Sequence, residues 1–201
     1  MKLKFKTILF FCYIFFFIIL ASAQAEELKE KDELKQTLGI NAEGSLLIDQ
    51  IAGVYKKRFK NAFYVDASKG LMESCVAEDI LEIVKVTENI IYFKFHLEFF
   101  NGHICSMFGI AYYIGNNAFL FKDETFPFED DEGRRCNLKI IVTAQNIELI
   151  DNYGCRSSYC GTRGGINGQS FKRKTRRPIK YMKLLKSSAD YQQSIKTLAE
   201  K

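Results

Sequence analysis

Apolar and polar side chains alternate most clearly between residues 90 and 100. The apolar set on one face is Ile91, Phe93, Phe95, Leu97 and Phe99, and the polar set on the other is Tyr92, Lys94, His96 and Glu98. A period of two residues is typical of a β-strand that buries one face. The pattern therefore predicts a half-buried strand over this segment.

The dipeptide Asn101-Gly102 follows this strand and predicts a β-hairpin, because a two-residue type I′ turn needs positive φ at both central positions. A two-residue loop sets the register and pairs Phe99 with Ile104, Leu97 with Ser106, Phe95 with Phe108, Phe93 with Ile110 and Ile91 with Tyr112. In that register Phe108 and Ile110 join the core, while Cys105 lies opposite Glu98 on the outer face.

Further short apolar segments continue the pattern and are separated by turn residues. Strands are predicted at 118–122, 138–143 and 147–151, with turns at 115–117 and near Gln145-Asn146, and a first strand opens near Gly53-Val54-Tyr55. Such a series, with helical segments only at the ends, predicts a mainly β fold: a small antiparallel β-barrel or curved meander sheet with a C-terminal helix. A β-sandwich is the alternative. Nucleotide-binding folds are not expected, because the chain lacks glycine-rich phosphate loops and β-helix-β alternation.

The two ends of the chain differ in composition from this body. Three lysines, an apolar run over 8–21 and two overlapping Ala-x-Ala patterns predict a secretory signal peptide. The predicted organisation is a signal peptide at 1–25, a charged helical leader at 26–45, the β-barrel domain at 46–171 and a basic tail with the C-terminal helix at 172–201. The protein is thus expected to be exported, periplasmic or extracellular, with no transmembrane segment after signal cleavage.

The formal net charge of +5 is unevenly distributed. Residues 172–201 contain ten basic and two acidic side chains, whereas residues 26–171 contain sixteen basic and twenty-two acidic ones. The run over 172–177 is typical of a site for polyanions. In an exported protein these are anionic envelope polymers or lipid head groups, and no nucleic acid is expected. The alternative is that the cations only protect an exposed sheet edge.

Five cysteines follow the signal peptide: Cys75, Cys105, Cys136, Cys155 and Cys160. Disulfides are the expectation in an exported protein, and fifteen sets of two bridges are open. Reflecting the last hairpin about Gln145-Asn146 brings Cys136 opposite Cys155. This favours Cys136–Cys155 and Cys105–Cys160, with Cys75 unpaired. No metal site is expected, because the chain has no Cys-x2-Cys pair and only two histidines.

The segment 155–168 holds four glycines within eight residues and is the strongest candidate for a working surface. Glycines at this density indicate unusual backbone dihedrals or a close approach to the backbone. The candidate binding residues are Arg156, Arg163, Gly164, Gly165 and Asn167. We expect Arg163 to offer its cation to carboxylates of a partner. The alternative is that Arg163 bonds carbonyls of a tight turn and holds the loop closed.

Catalytic chemistry has weaker signals. His103 lies two residues before Cys105, which could give a thiol–imidazole pair, and Cys155 with Cys160 could form a redox dithiol. A structural disulfide explains each cysteine better, and the acidic run at 129–132 is typical of a solvated turn. The sequence therefore assigns no catalytic residue and no cofactor.

Together, the motifs Asn-Gly-His-x-Cys at 101–105 and Cys-x4-Cys-Gly-x-Arg-Gly at 155–164, with Cys136, Asn167-Gly168 and Phe171, resemble a largely uncharacterised family of bacterial exported disulfide-containing β proteins. The resemblance covers about residues 46–195 and implies export without implying an activity.

The architecture is also distantly similar to that of the bacterial periplasmic lysozyme inhibitors, although the chain lacks their Ser-Gly loop and contains no tryptophan. This similarity implies a non-enzymatic binding module that inhibits a glycan hydrolase such as lysozyme. The alternatives are an envelope protein held to anionic polymers by its basic tail and an envelope enzyme.

Overall fold

The computed structural model describes residues 39, 42–123, 135–152 and 154–200. The predicted signal peptide, most of the predicted leader and the acidic run at 129–132 lie outside this part of the chain. Ile40–Lys201 form one compact unit. Among the described residues, no helix combines the length and the apolar character needed to cross a membrane.

Eight antiparallel strands make a single sheet in which each strand pairs with the next along the chain. They are β1 (Gly53–Asp66), β2 (Leu71–Lys85), β3 (Ile90–Glu98), β4 (Ile104–Tyr113), β5 (Ala118–Lys122), β6 (Asn137–Val142), β7 (Asn146–Asp151) and β8 (Gln169–Lys172). Shortly after β8, the backbone of Arg177 exchanges hydrogen bonds of 2.9 and 3.0 Å with Val54 of β1. The predicted mainly β fold is confirmed as a nearly closed barrel of one sheet, which excludes the sandwich.

Four α-helices accompany the barrel in the described part of the chain. They are α1 (residues 42–51), α2 (Gly154–Tyr159), α3 (Met182–Ser187) and α4 (Ala189–Ala199). The predicted C-terminal helix is therefore present, and it starts as its sequence indicates, because the hydroxyl of Ser188 accepts a hydrogen bond from the amide of Tyr191. α1 closes one end of the barrel with three apolar side chains: Leu47, Ile48 and Ile51.

The main core fills the barrel interior. Phe93, Phe95 and Leu97 of β3 are at most 1% exposed there, as their alternation predicts. A second, smaller cluster lies on the outer face of the sheet, beneath α3 and α4, and consists of Val54, Val84, Tyr92, Ile179, Leu185 and Tyr191. The sheet thus has apolar residues on both faces.

The predicted register of the β3–β4 hairpin is wrong by one residue. The observed partners are Leu97 with Cys105, Phe95 with Met107, Phe93 with Gly109 and Ile91 with Ala111. Phe100 joins Asn101 and Gly102 in a three-residue loop that the amide of Phe99 closes on the carbonyl of His103 at 2.7 Å. Because a one-residue shift exchanges the two faces of a strand, Phe108 and Ile110 lie on the outer face and Cys105 is buried in the core.

The β1–β2 hairpin is much longer than the sequence pattern indicates. Pairing of β2 with β3 ends at Ile80–His96, and the amide of Glu98 then donates to the carboxylate of Asp79 at 2.9 Å. Beyond this point β1 and β2 pair only with each other as far as Asp66 and Leu71. Both faces of that extension are largely exposed, so it shows none of the alternation by which half-buried strands are predicted.

Candidate functional site

The barrel wall is split between β4 and β5. The two strands pair only at Tyr112–Leu120 and Tyr113–Phe119, after which β5 stays paired with β6. In the described part of the chain, residues 106–111 of β4 consequently have no strand partner on that side. α2 lies in this opening, with contacts to both β4 and β6.

Two disulfides hold α2 across the split. Cys160, just after the helix, is bonded to Cys105 of β4, and Cys155, in its first turn, is bonded to Cys136 immediately before β6. This is the predicted pairing, and Cys75 is the free cysteine. Two disulfides are typical of proteins from oxidising compartments.

The positions of the paired cysteines in the fold differ from the predicted ones in two ways. The β6–β7 loop is centred one residue earlier than predicted, since Val142 pairs with Ile147 and the amide of Thr143 donates to the carbonyl of Asn146. Cys155 therefore reaches its partner from a helix and not from the opposite strand. Cys105 points into the core, so its bridge lies inside the barrel wall and not outside it.

The two disulfides rule out the thiol chemistry that the sequence suggested for these cysteines. Cys105 is oxidised and offers no thiolate to His103, while Cys155 and Cys160 are bonded to different partners and do not form a dithiol pair. His96 lies on the outer face of β3, where its Nδ1 is 2.7 Å from the hydroxyl of Ser106. Within the described ranges, no group of three or more His, Cys, Asp or Glu side chains could hold a metal ion.

The glycine loop, residues 161–168, leads from α2 to β8 and packs against the first disulfide. Gly164 is buried there, and a β-carbon at this position would lie 2.6 Å from Sγ of Cys105. The loop closes on itself through a 2.8 Å hydrogen bond from the amide of Gly164 to the carbonyl of Gly161. Ile166, 1% exposed, anchors it in the core. Gly164 is thus needed for packing, whereas Gly165 has open space around it.

The two arginines of this segment have different roles. Arg156 donates from Nη2 to the carbonyl of Thr162 at 2.9 Å and so joins α2 to the loop. Arg163 is exposed and makes no hydrogen bond or ion pair with any described residue. The loop-closing role considered for Arg163 therefore belongs to Arg156. Asn167 lies exposed at the far end of the loop.

Exposed apolar side chains lie next to the glycine loop, at the β3–β4 loop and on the β1–β2 hairpin. The amide of Gly161 donates to the carbonyl of Ile104, whose side chain is 45% exposed. Phe100, 36% exposed, meets the ring of Tyr64 edge-on at a centroid distance of 5.4 Å. We call Arg163, Ile104, Phe100 and Tyr64 the loop face. It combines a cation that has no partner among the described residues with three exposed apolar side chains.

Beyond the loop face, the hairpin tip exposes a further group of large apolar side chains: Phe63, Val65, Leu71, Met72 and Val76. The hairpin is tied to the β3–β4 loop by two side chains. Asn61 donates from Nδ2 to the carbonyl of Phe99 at 3.0 Å, and the amide of Tyr64 donates to Oδ1 of Asn101 at 3.0 Å.

A separate cleft of about 510 Å³, here called the α4 cleft, lies between β4, β5 and α4. Its lining is mostly apolar, and Asp123 and Tyr159 supply the polar groups at the split. The Tyr159 hydroxyl donates to the carboxylate of Asp123. Burial, with this hydrogen bond as a second cause, raises the pKa of Tyr159 well above its usual range, so the hydroxyl stays protonated. In the sequence, only position marks these two residues. Asp123 directly follows a predicted strand, and Tyr159 directly precedes Cys160.

Part of the basic tail is structural. Arg176 donates from Nε to the carbonyl of Ala52 at 2.8 Å and from Nη2 to that of Asp49 at 3.1 Å, which satisfies carbonyls at the C-terminal end of α1. Arg173 donates to the carbonyl of Thr143 and to Oε1 of Gln50. The other cations between 172 and 186 are exposed and make no ion pair with a described residue: Lys172, Lys174, Arg177, Lys180, Lys183 and Lys186.

No protein-family model matches the chain, and neither a curated protein nor a solved structure matches it.

Proposed function

We propose that this protein is an exported, non-enzymatic binding module and that the glycine loop is its recognition element. One observation carries the proposal: Arg163 is exposed and unpaired among the described residues, on a backbone that its neighbours hold in place. The predicted signal peptide and the two disulfides support the exported location.

The glycine loop is held in one conformation before any partner binds, which favours a role in recognition. The Cys105–Cys160 bridge, the buried Gly164 and the hydrogen bond from Arg156 each limit the conformations of residues 161–164. A loop that is already ordered loses little further entropy when it binds, so more of the interaction energy appears as affinity.

The chemistry of Arg163 indicates the kind of partner. A guanidinium group presents a planar fork of donors that matches a carboxylate. Glycan hydrolases carry a pair of carboxylates in the cleft where they bind substrate, and lysozyme is the type case. Gly161 and Gly165 flank Arg163 without side chains that would block entry into such a cleft. The exposed side chain of Ile104, whose carbonyl accepts from the amide of Gly161, adds apolar area near the loop.

Titration of purified lysozyme with the protein tests this proposal. We expect Arg163→Ala to weaken binding at least about tenfold, because a guanidinium–carboxylate pair is lost, while the melting temperature stays unchanged. Arg177→Ala is the matched control, since it removes an exposed cation far along the chain, and it should bind like the wild type. Wild-type protein that binds no lysozyme, or equal weakening by the two changes, would contradict the proposal.

A second candidate function, binding of anionic envelope polymers by the basic tail, has one observation in its favour. Six exposed cations between 172 and 186 have no acidic partner among the described residues, whereas Arg173 and Arg176 are engaged with the barrel. Retention on immobilised polyphosphate should then fall steeply as salt rises. Replacing Lys172, Lys174, Lys180 and Lys183 with Gln should flatten that dependence, while Arg163→Ala should leave it unchanged.

A further inference from the structure

We propose that two copies of this chain pair through the free edge of β2, residues 71–79, as antiparallel strands related by a two-fold axis at Cys75. The pairing joins two β1–β2 hairpins into one four-stranded sheet. It uses none of the residues of the loop face, so the inference is independent of the proposed function. It is carried by the length of the free edge, its composition and the position of the free cysteine.

The free edge is the part of β2 that extends beyond β3. The last pair of the β2–β3 ladder is Ile80 with His96, and β2 continues from there to Leu71. Among the described residues, 71–79 pair with β1 on one side and have no strand partner on the other. Cys75 is the central residue of this stretch.

The backbone groups of the free edge point away from β1. Val54 of β1 uses its amide and its carbonyl for Arg177, on the side away from β2, and its partner on β2 is Glu82. Opposite residues of an antiparallel pair either bond to each other or both point outward, and the two kinds alternate. The residues whose backbone faces the free edge are therefore Met72, Ser74, Val76 and Glu78. Such a row of donors and acceptors is a template for another strand.

The two edges of the hairpin differ in their protection against pairing. β1 carries four cations beside its outer edge: Lys56, Lys57, Arg58 and Lys60. Charged side chains, lysine above all, keep exposed edges from pairing with other chains. The segment 71–79 contains no lysine, arginine or proline, and its centre, 74–77, is uncharged. The β2 edge is therefore the one suited to pairing.

The side chains of the free edge fit a second copy of the same edge. With the axis at Cys75, the opposite residues are Leu71 with Asp79, Met72 with Glu78, Glu73 with Ala77 and Ser74 with Val76. No acidic side chain lies directly opposite another, which would destabilise the pair. Met72 and Val76 are 55% and 74% exposed, and a neighbouring strand covers part of both. Because Cys75 is central, this axis also pairs the whole edge.

Cys75 supports the choice of a second copy as the partner. The other four cysteines after the predicted signal peptide form disulfides, and Cys75 is free. An odd cysteine in an exported protein is typical of pairing between chains. The backbone parity puts Cys75 and its counterpart in a non-hydrogen-bonded pair, in which the Cα atoms are about 4.5 Å apart. That separation lies within the range of a disulfide.

Sedimentation equilibrium of the reduced mature protein tests the association, and we expect a dimer. Val76→Pro removes an amide that faces the free edge in each copy and should raise the dimer dissociation constant at least about tenfold. Lys60→Pro is the matched control, because Lys60 is the cross-strand partner of Val76 and its amide faces the other edge of the hairpin. It should dimerise like the wild type. A monomeric wild type, or equal weakening by the two prolines, would overturn the proposal.

Cross-linking tests the axis without proline. Oxidised glutathione should join Cys75 of two copies, because the two thiols lose two electrons and two protons, which reduce the oxidant to two molecules of glutathione. With Cys75→Ser present, Ser74→Cys and Val76→Cys should cross-link when the two variants are mixed and not when each is alone. Both positions are exposed, so neither change disturbs the core. Absence of a Cys75 cross-link, or equal cross-linking of each variant alone, contradicts the two-fold axis at Cys75.

Discussion

The sheet stops being continuous at two places: the split between β4 and β5 and the long β1–β2 hairpin. The two places are stabilised in opposite ways. At the split, β4 separates from β5, and α2 fills the opening, where two disulfides hold it. At the hairpin, β2 parts from β3, and the remaining contacts are noncovalent, from Asp79, Asn61 and Asn101.

The difference follows from backbone hydrogen bonding. Among the described residues, 106–111 of β4 have no strand partner at the split, so the short helix α2 is held there by other means. The long hairpin keeps its ladder between β1 and β2, with one irregularity between Tyr64 and Asp66, and needs only local attachment. Both disulfides thus lie at the split between β4 and β5. The glycine loop and the α4 cleft lie there as well.

Removal of the disulfides should have the largest effect. The bridges close segments with sequence separations of 55 and 19 residues. In the chain-entropy model the longer loop contributes about 4 kcal/mol and the shorter about 3 kcal/mol to the free energy of unfolding. We expect Cys105→Ala/Cys160→Ala to destabilise more than Cys136→Ala/Cys155→Ala in urea titrations without reductant. If the order were reversed, or if the loss in free energy of unfolding were as small as for surface substitutions, the disulfides would not be the main stabilisation of the split.

Adjacent glycines provide the next test, because they differ only in their surroundings. An added β-carbon at Gly164 would meet Sγ of Cys105 at 2.6 Å, whereas nothing lies within 4 Å of one at Gly165. Gly164→Ala should cost about 1–3 kcal/mol through overpacking. Gly165→Ala should be neutral or stabilise by up to about 1 kcal/mol, since it restricts the unfolded chain. Thermal denaturation of both variants measures the difference, and equal melting temperatures would show that the loop is not packed on the disulfide.

Loosening the hairpin should have a smaller and local effect. Asn61→Ala removes the 3.0 Å hydrogen bond to the carbonyl of Phe99 and should cost about 1 kcal/mol. Amide hydrogen exchange should accelerate in residues 59–76 and stay unchanged in β3, because β1 and β2 depend on each other beyond Asp79. Acceleration throughout the barrel would mean that the hairpin and the barrel unfold as one unit.

The smallest effect is expected at the hairpin surface. Val76 is 74% exposed, so Val76→Thr should change the free energy of unfolding by less than about 0.5 kcal/mol. Phe95→Ala, which empties a position 1% exposed in the core, should cost about 3–5 kcal/mol in the same titration. A large loss at Val76 would indicate that the exposed apolar side chains stabilise the monomer.

Sequence reasoning succeeded where a residue's role depends on its neighbours along the chain. The alternation over 90–100 predicted the inward face of β3, and Asn101-Gly102 predicted a turn. The face of β4 was predicted wrongly, because β4 carries apolar residues on both faces. Met107 and Ala111 point inward, while Phe108 and Ile110 pack against the outer cluster, so the pattern does not distinguish the two registers.

By itself, the sequence determined the mainly β fold, the positions of most turns, the set of cysteines and the uneven charge, because each depends on local period or composition. Only the tertiary structure decided which arginine closes the glycine loop and which cations of the tail are engaged. Arg176 caps a helix that lies 124 residues earlier, at the carbonyl of Ala52. Such contacts depend on which segments the closed barrel brings together, and no local pattern specifies them.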